Sequence, residues 1–294
     1  MKKTLYKAYK FSNSWTGTVV IVLFVIFFVA QAFRIPSGSM KDSLLIGDHL
    51  FAKKFAYGIP MPHIPFLEMS IMPWSDSLKL IDGDTPKRGD IVIFRYPKDP
   101  KTHFVKRCFA LPGDEVIFTD ADEVYLRPHE GDAYIKANYP KEKLVYLMDR
   151  LWVKSPMSHL HPGIHNDKNH NIYEDYLNYY INTKNGVSMI PVNITELTRK
   201  YNFPFNAFYK KIEKDKYFMM GDNRDHSNDS RFWGSVPYEN IEGTPWFIYF
   251  SIDDNWEIRW DRVGKTPKDL EAPEHMNKAI KERERVDKNY HGIS

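Results

Sequence analysis

The sequence predicts a mostly β, extracytoplasmic core with an α+β insert, tethered by one N-terminal transmembrane helix. Three observations carry that reading. Residues 15–33 contain no charge; 15% aromatic residues and 19 prolines favour short strands and turns over long helices; and a strand-like pattern breaks off near residue 120 and resumes near 216. A chain of 294 residues with 43% hydrophobic content can fill one large or two ordinary domains. The net charge of +3, with acids interspersed among the bases, argues against a nucleic-acid partner. Cys108 is the one cysteine, so packing rather than an internal disulfide framework must hold the fold.

Residues 1–14 are basic, with Lys2, Lys3, Lys7 and Lys10 and no acid. The apolar run 15–33 is close to the roughly 20 residues a helix needs to cross a bilayer. Just beyond it the only cations are Arg34 and Lys41, so the positive-inside bias leaves the N-terminus in the cytoplasm and exports the rest. The competing reading is a leader cut after Ala32, because Ala30-Gln31-Ala32 fits a small-x-small cleavage site. The body of the chain is extracytoplasmic in both cases.

Residues 34–120 read as the first part of the core. Asp48–Phe55, Ile91–Tyr96 and Glu115–Thr119 look like strands, set off by Lys87-Arg88-Gly89-Asp90, Pro97 and Leu111-Pro112-Gly113-Asp114. Residues 121–215, rich in Tyr, Asn, Lys and His and weakly periodic, read as an inserted subdomain. The core resumes over 216–262 with strands at Tyr217–Met220, Trp246–Phe250 and Trp256–Trp260, and 263–294 is a charged tail, a surface helix or frayed. The Met- and Pro-rich stretch Ile59–Trp74 either folds over the core or forms an apolar skirt at the membrane interface.

Shortly after the apolar run comes Pro36-Ser37-Gly38-Ser39-Met40, a hydroxyl-rich turn at a membrane exit. A serine hydroxyl needs a base to take its proton, and a lysine can serve once burial lowers its pKa from about 10.4. In His103–Ala110, strand alternation puts Phe104, Lys106, Cys108 and Ala110 on one face, so Lys106 has apolar neighbours. Arg107 beside it adds a second cation that would lower its pKa slightly. The third element is 221–231, without one apolar side chain between two hydrophobic strands. Alone it reads as a solvated loop; as a network, Ser227 can orient an amine and Asp229 can pair with Arg231.

Taken together, these blocks resemble bacterial type I signal peptidase, a membrane-bound Ser/Lys endopeptidase. The matching segments are Pro-Ser-Gly-Ser-Met (36–40), Arg-Gly-Asp-Ile-Val (88–92), Val-Lys-Arg (105–107) with Leu-Pro-Gly-Asp (111–114), and Gly-Asp-Asn-Arg-Asp-x-Ser-x-Asp-Ser-Arg (221–231), in the family's order. The resemblance implies a β-sheet catalytic core of the signal-peptidase type, with Ser39 as nucleophile and neutral Lys106 as general base. It implies an oxyanion hole from the Ser39 N–H and the Ser37 hydroxyl, and support of the dyad by Ser227, Asp229 and Arg231. Ile35, Met40, Ile93, Phe104 and Val105 would line pockets for small residues at −1 and −3 of a preprotein signal peptide bound as an extended strand. It implies a bacterial cytoplasmic (inner) membrane location, contact with the lipid bilayer and the export machinery, and no metal or other cofactor. Three departures stand out: Lys41-Asp42-Ser43-Leu44 replaces the family's x-Pro-Thr-Leu, His226 replaces a smaller polar residue and is expected to face solvent, and one span is seen where many relatives have two.

Other chemistries fit less well. His159, His161, His165 and His170 suggest a metal, but in a Gly/Pro/Asn-rich loop without a fixed scaffold. A Ser-His-Asp triad lacks a Gly-x-Ser-x-Gly elbow, and Cys108 reads as small core filler. A different class of protein stays open, a catalytically silent membrane-tethered β-domain that binds partners or preproteins. The retained anchor predicts that N-terminal sequencing of membrane-extracted protein starts at residue 1; a start at Phe33 would select the cleaved leader.

Overall fold

Short apolar strands joined by tight turns pair into two antiparallel sheets, and the computed structural model describes residues 2–64, 69–70, 78–167, 170–183 and 187–291. The first sheet has seven strands in the order Ala30–Arg34, Asp48–Lys53, Ile241–Ser251, Ile91–Tyr96, Asp99–Ala110, Lys216–Met220 and Val236–Pro237. The second has six, ordered Leu144–Leu147, Arg150–Lys154, Val124–Arg127, Glu115–Thr119, Ala207–Lys211 and Ile190–Val192. Every neighbouring pair is antiparallel. The fold is mostly antiparallel β with some helices.

Residues 91–94 are apolar without alternation because this central strand is buried on both faces. Helix Ile172–Thr183 turns Ile172, Tyr173, Tyr176 and Leu177 inward, a spacing that keeps all four on one helical face. They cover the second sheet, where Tyr173 meets Phe118 at 5.4 Å and Tyr176 meets Phe208 at 4.6 Å between ring centroids. Phe109, Ala110, Phe218 and Met220 of the first sheet share this same apolar cluster, so the two sheets are joined by a common core. The strand Glu115–Thr119 pairs within the second sheet, between Val124–Arg127 and Ala207–Lys211.

The expected helix over 15–33 is corrected. An α-helix spans Trp15–Phe24, a π-helical turn continues over Val25–Val29, and Ala30–Arg34 is a strand paired with Asp48–Lys53. Among the described residues no helix is long and apolar enough to cross a membrane. Hydropathy is the reason for the difference: an uncharged run does not distinguish helix from a strand whose backbone is satisfied by a sheet. Ala32, the candidate cleavage residue, pairs with Phe51 in that strand.

Trp256–Trp260 is likewise a turn and not a strand. Asp253 Oδ1 accepts the N–H groups of Asn255 and Glu257, Trp256 has φ 65°, and an isolated Ile252–Ile258 bridge is its ladder contact. The charged tail forms helices Pro267–Leu270 and Pro273–His291, with Leu270, Met276 and Ala279 buried. In the Met- and Pro-rich stretch, Gly58–Pro60 pairs with Lys79–Asp82 and His63–Ile64 with Met69–Ser70. Residues 65–68 and 71–74 of that stretch lie outside the described residues, so the choice between core cover and skirt is not made there.

Phe208 is fully buried against the rings of Tyr173, Tyr176, Tyr180 and Phe205. Phe208→Ala is expected to lower unfolding stability by about 3–5 kcal/mol, read by urea denaturation of the full chain in detergent.

Candidate active site

Ser39 sits in a single 3-10 turn, Gly38–Met40, entered from an extended Ser37 with φ −135° and ψ 156°. The turn is fixed from beneath: Met40 and Leu44 are buried in a cluster with Ile35, Leu50, Ile91 and Ile93. Backbone bonds from Ile35 N–H to the Asp48 carbonyl at 2.9 Å and from Gly47 N–H to the Ile35 carbonyl at 3.1 Å hold its approach. Lys106 comes from the long strand Asp99–Ala110, in register with Val92.

These two residues, 67 apart in sequence, meet in the interior, where Lys106 Nζ lies 2.6 Å from Ser39 Oγ and donates to the Val105 carbonyl at 3.1 Å. The Phe104 ring centroid is 5.4 Å from Nζ. Burial pushes the Lys106 amine down to about 8, against the opposing pull of Asp229 and Asp222. Arg107 points to the opposite face, where Asp222 accepts from Nε at 2.8 Å and Nη2 at 2.7 Å, and Glu271 accepts from Nη2 at 2.7 Å. Ser37 Oγ stands 3.5 Å from Ser39 Oγ. No imidazole is a hydrogen-bond partner of Ser39 among the described residues.

The polar block 221–231 is not a solvated loop. Asp222, Asp225, Ser227, Asp229, Ser230 and Arg231 are all essentially inaccessible. Asp229 accepts from Arg231 Nε and Nη2, each at 2.9 Å, and from the Gly221 N–H at 3.1 Å. Burial alone would raise the Asp229 carboxyl; the Arg231 guanidinium outweighs it and holds it below the usual range. Asn223 reaches back to the nucleophile turn, its N–H donating to the Ser39 carbonyl and Nδ2 to the Gly38 carbonyl, both at 3.1 Å. Ser227 is buried beside Gly221 and close to the Asp229 carboxylate. Its hydroxyl reaches no partner at hydrogen-bonding geometry among the described residues, Lys106 Nζ included.

Of the residues expected in the substrate pockets, Ile35, Met40, Ile93 and Val105 converge in one apolar cluster, joined by Phe33. Phe104 belongs to a neighbouring cluster, stacked on Tyr96 at 4.9 Å and near Trp233 at 6.1 Å. Asp42 is buried with φ 76°, ion-paired to Arg283 and 3.4 Å from His165 Nδ1. A proline, fixed near −65°, cannot adopt that conformation. His226 is half-exposed, paired with Asp167 at 2.9 Å and stacked on His170.

The four insert histidines do not gather as a ligand set among the described residues: His161 pairs with Glu271, His165 with Gly163 and Asp42, His170 with Asp175. Cys108 is wholly buried, which raises its thiol well above the ordinary value. Residues not anticipated from sequence are Asp222, Ser43, whose hydroxyl donates to Asp222 Oδ2 at 2.5 Å, Glu271 and Arg283. Asp222 lay inside the polar block; the other three carried no local signal.

A family model described as signal peptidase, peptidase S26, matches residues 9–250. The chain is 44% identical over 287 residues to a signal peptidase I of Helicobacter pylori, covering 92% of this chain and 96% of that one. It is 31% identical to a signal peptidase I of Pseudomonas aeruginosa, covering 83% and 73%. A solved signal peptidase I from Enterococcus faecalis V583 aligns with 55% of this chain and 97% of its own, at 21% identity and a TM-score of 0.27. The chain belongs to the signal peptidase family, peptidase S26. Its function is that of a signal peptidase I, a serine endopeptidase.

Gly221 packs so closely that a Cβ would overlap both the Ser227 hydroxyl and the Ser39 carbonyl. Gly221→Ala is expected to cut peptide-cleavage activity by about 100-fold in protein that still gives a folded spectrum. Wild-type activity would show that the loop can yield.

Proposed function

We propose that the chain removes signal peptides from exported preproteins with Ser39 as nucleophile and unprotonated Lys106 as general base. The 2.6 Å approach of Lys106 Nζ to Ser39 Oγ inside an apolar surround carries the reading. Lys106 takes the hydroxyl proton as Oγ attacks the scissile carbonyl carbon. The Ser39 N–H and the Ser37 hydroxyl stabilise the resulting oxyanion, each donor worth about 3 kcal/mol. Lys106 then hands the proton to the departing amine of the mature protein; neutral again, it takes a proton from water as the water attacks the acyl carbon, and returns it to Ser39 Oγ as the acyl–oxygen bond breaks. Ser227 would face the amine, with Asp229 and Arg231 bracing the loop that carries it.

A substrate lying as an extended strand would make backbone bonds common to all sequences. Selectivity then falls to the apolar cluster of Ile35, Met40, Ile93 and the partly buried Val105, with Phe104 at its edge, against which small residues at −1 and −3 would seat. The outward-facing Trp15, Val20, Ile21, Val22, Leu23 and Phe24 support seating of the N-terminal helix in a lipid bilayer. In this proposal the protein is held at the bacterial inner membrane, its basic N-terminus cytoplasmic and its catalytic core on the far side, near the export machinery.

Cleavage of a preprotein by the full chain tests the assignment. Ser39→Ala and Lys106→Ala are each expected to reduce kcat at least ~1,000-fold. With the Lys106 amine at about 8, the ammonium predominates below that value and cannot accept a proton, so kcat should climb as pH rises through about 8. Cleavage that survives both substitutions, or a profile governed by a group near pH 6.5, would sink the dyad.

A further inference from the structure

The C-terminal segment touches the flank of both dyad residues. Glu271 accepts from Arg107, the neighbour of Lys106, at 2.7 Å, and also pairs with His161 at 2.9 Å. Leu270 enters the cluster that holds Ile35, Met40 and Leu44. Met276 is buried near Gly163, whose Cα lies tight against Ser43. Two turns further along the same helix, Arg283 is ion-paired with Asp42, three residues after Ser39.

Asp42 is an unusual choice at this point. It is buried, left-handed at φ 76°, and follows the turn closed by the bond from the Lys41 N–H to the Gly38 carbonyl at 3.0 Å. Asp and Asn are among the few side chains that tolerate this conformation. A buried carboxylate, however, needs a countercharge. His165 Nδ1 is 3.4 Å away, but burial pushes its imidazole below the ordinary value and its Nδ1 is also 2.8 Å from the Gly163 carbonyl. Arg283, always charged, is the partner suited to the task.

We propose that Asp42 and Arg283 are a positioning pair: the C-terminal helix supplies the charge that fixes the turn after the nucleophile and so keeps Ser39 Oγ at Lys106. In this chain an ion pair from a distant helix does what a rigid ring could do locally. The proposal rests on Ser39 and Lys106 being the dyad.

The test is preprotein cleavage by full-length variants, with kcat, KM and melting temperature measured for each. Arg283→Gln is expected to lower kcat about tenfold while KM stays within about twofold, because substrate contacts are untouched and the nucleophile is displaced. Adding Asp42→Asn keeps a side chain that accepts the left-handed turn and removes the uncompensated charge. The double variant is therefore expected to be about as active as Arg283→Gln alone, since the shared interaction is already lost, whereas Arg283→Lys, which keeps the charge, is expected to stay within about threefold of wild-type kcat. Loss and rescue of kcat at unchanged KM, in chains that melt well above the assay temperature, is a pattern a merely structural role would not produce. Wild-type kcat in Arg283→Gln, a double variant far less active than Arg283→Gln, or Arg283→Lys as impaired as Arg283→Gln, overturns the pair. Ser39→Ala run alongside separates the two ideas: if it is inactive while Arg283→Gln is fully active, the pair alone fails.

Discussion

A protonated lysine cannot take a proton from serine, so the proposed dyad depends on Lys106 being neutral where it meets Ser39. Burial moves it towards that state, and bringing the amine from 10.5 to about 8 corresponds to about 3 kcal/mol against its charged form. Two acids oppose it. Asp229 and Asp222 both lie close enough to stabilise an ammonium, and both are fully buried. Each is committed to an arginine, Asp229 to Arg231 and Asp222 to Arg107, through two hydrogen bonds apiece. Buried pairs of this kind add little net stability. Their consequence here is electrostatic: each guanidinium offsets part of the negative charge of its carboxylate, whose pull on Lys106 opposes the effect of burial.

The same residues supply the geometry. An uninterrupted polar segment between apolar strands is tolerable in a protein interior only if its polar atoms find partners. Asp229 takes the Gly221 N–H, Arg231 donates to the Arg224 carbonyl, and Asn223 donates twice to the turn that carries Ser39. The loop beside the proposed base is therefore bonded to the backbone of the turn that carries Ser39. A change that unsettles one alters the other, and substitutions within 221–231 should be strongly non-additive with those at Ser39 or Lys106.

Local signals were read well from sequence, and signals that depend on distant partners were not. The strands Ile91–Tyr96 and Glu115–Thr119 announce themselves by continuous apolar character and bounding turns, and their extents coincide with those in the structure. Lys106 could be singled out because strand alternation alone gives it apolar neighbours. The burial of 221–231 is ambiguous in sequence, since a run of charges looks alike in solvent and in a buried hydrogen-bonded network. The strand Ala30–Arg34 was hidden inside an apolar run, because hydropathy carries no information about which backbone partner is available. Arg283 and Glu271 were beyond reach for a different reason: a helix of alternating charges shows no local mark of which charge will be drawn into a site 164 or 241 residues away.

The strand at the end of the apolar run changes how the nucleophile is held. A helix leading straight into a turn would leave Ser39 on a tether free to swing. Instead Val29 is followed at once by five residues locked to Asp48–Lys53, and that strand in turn pairs with Ile241–Ser251, the neighbour of the central strand. Five strand residues span roughly 17 Å. Ser39 therefore stands at a distance from the apolar helix set by sheet register, not by chain slack. A substrate whose own apolar segment lies beside that helix would present its scissile bond at a fixed height, and the rigid strand makes that height a property of the fold. Under the proposed function, selection of the cleavage position would then arise twice, once from the pockets proposed for small residues and once from the length of a strand.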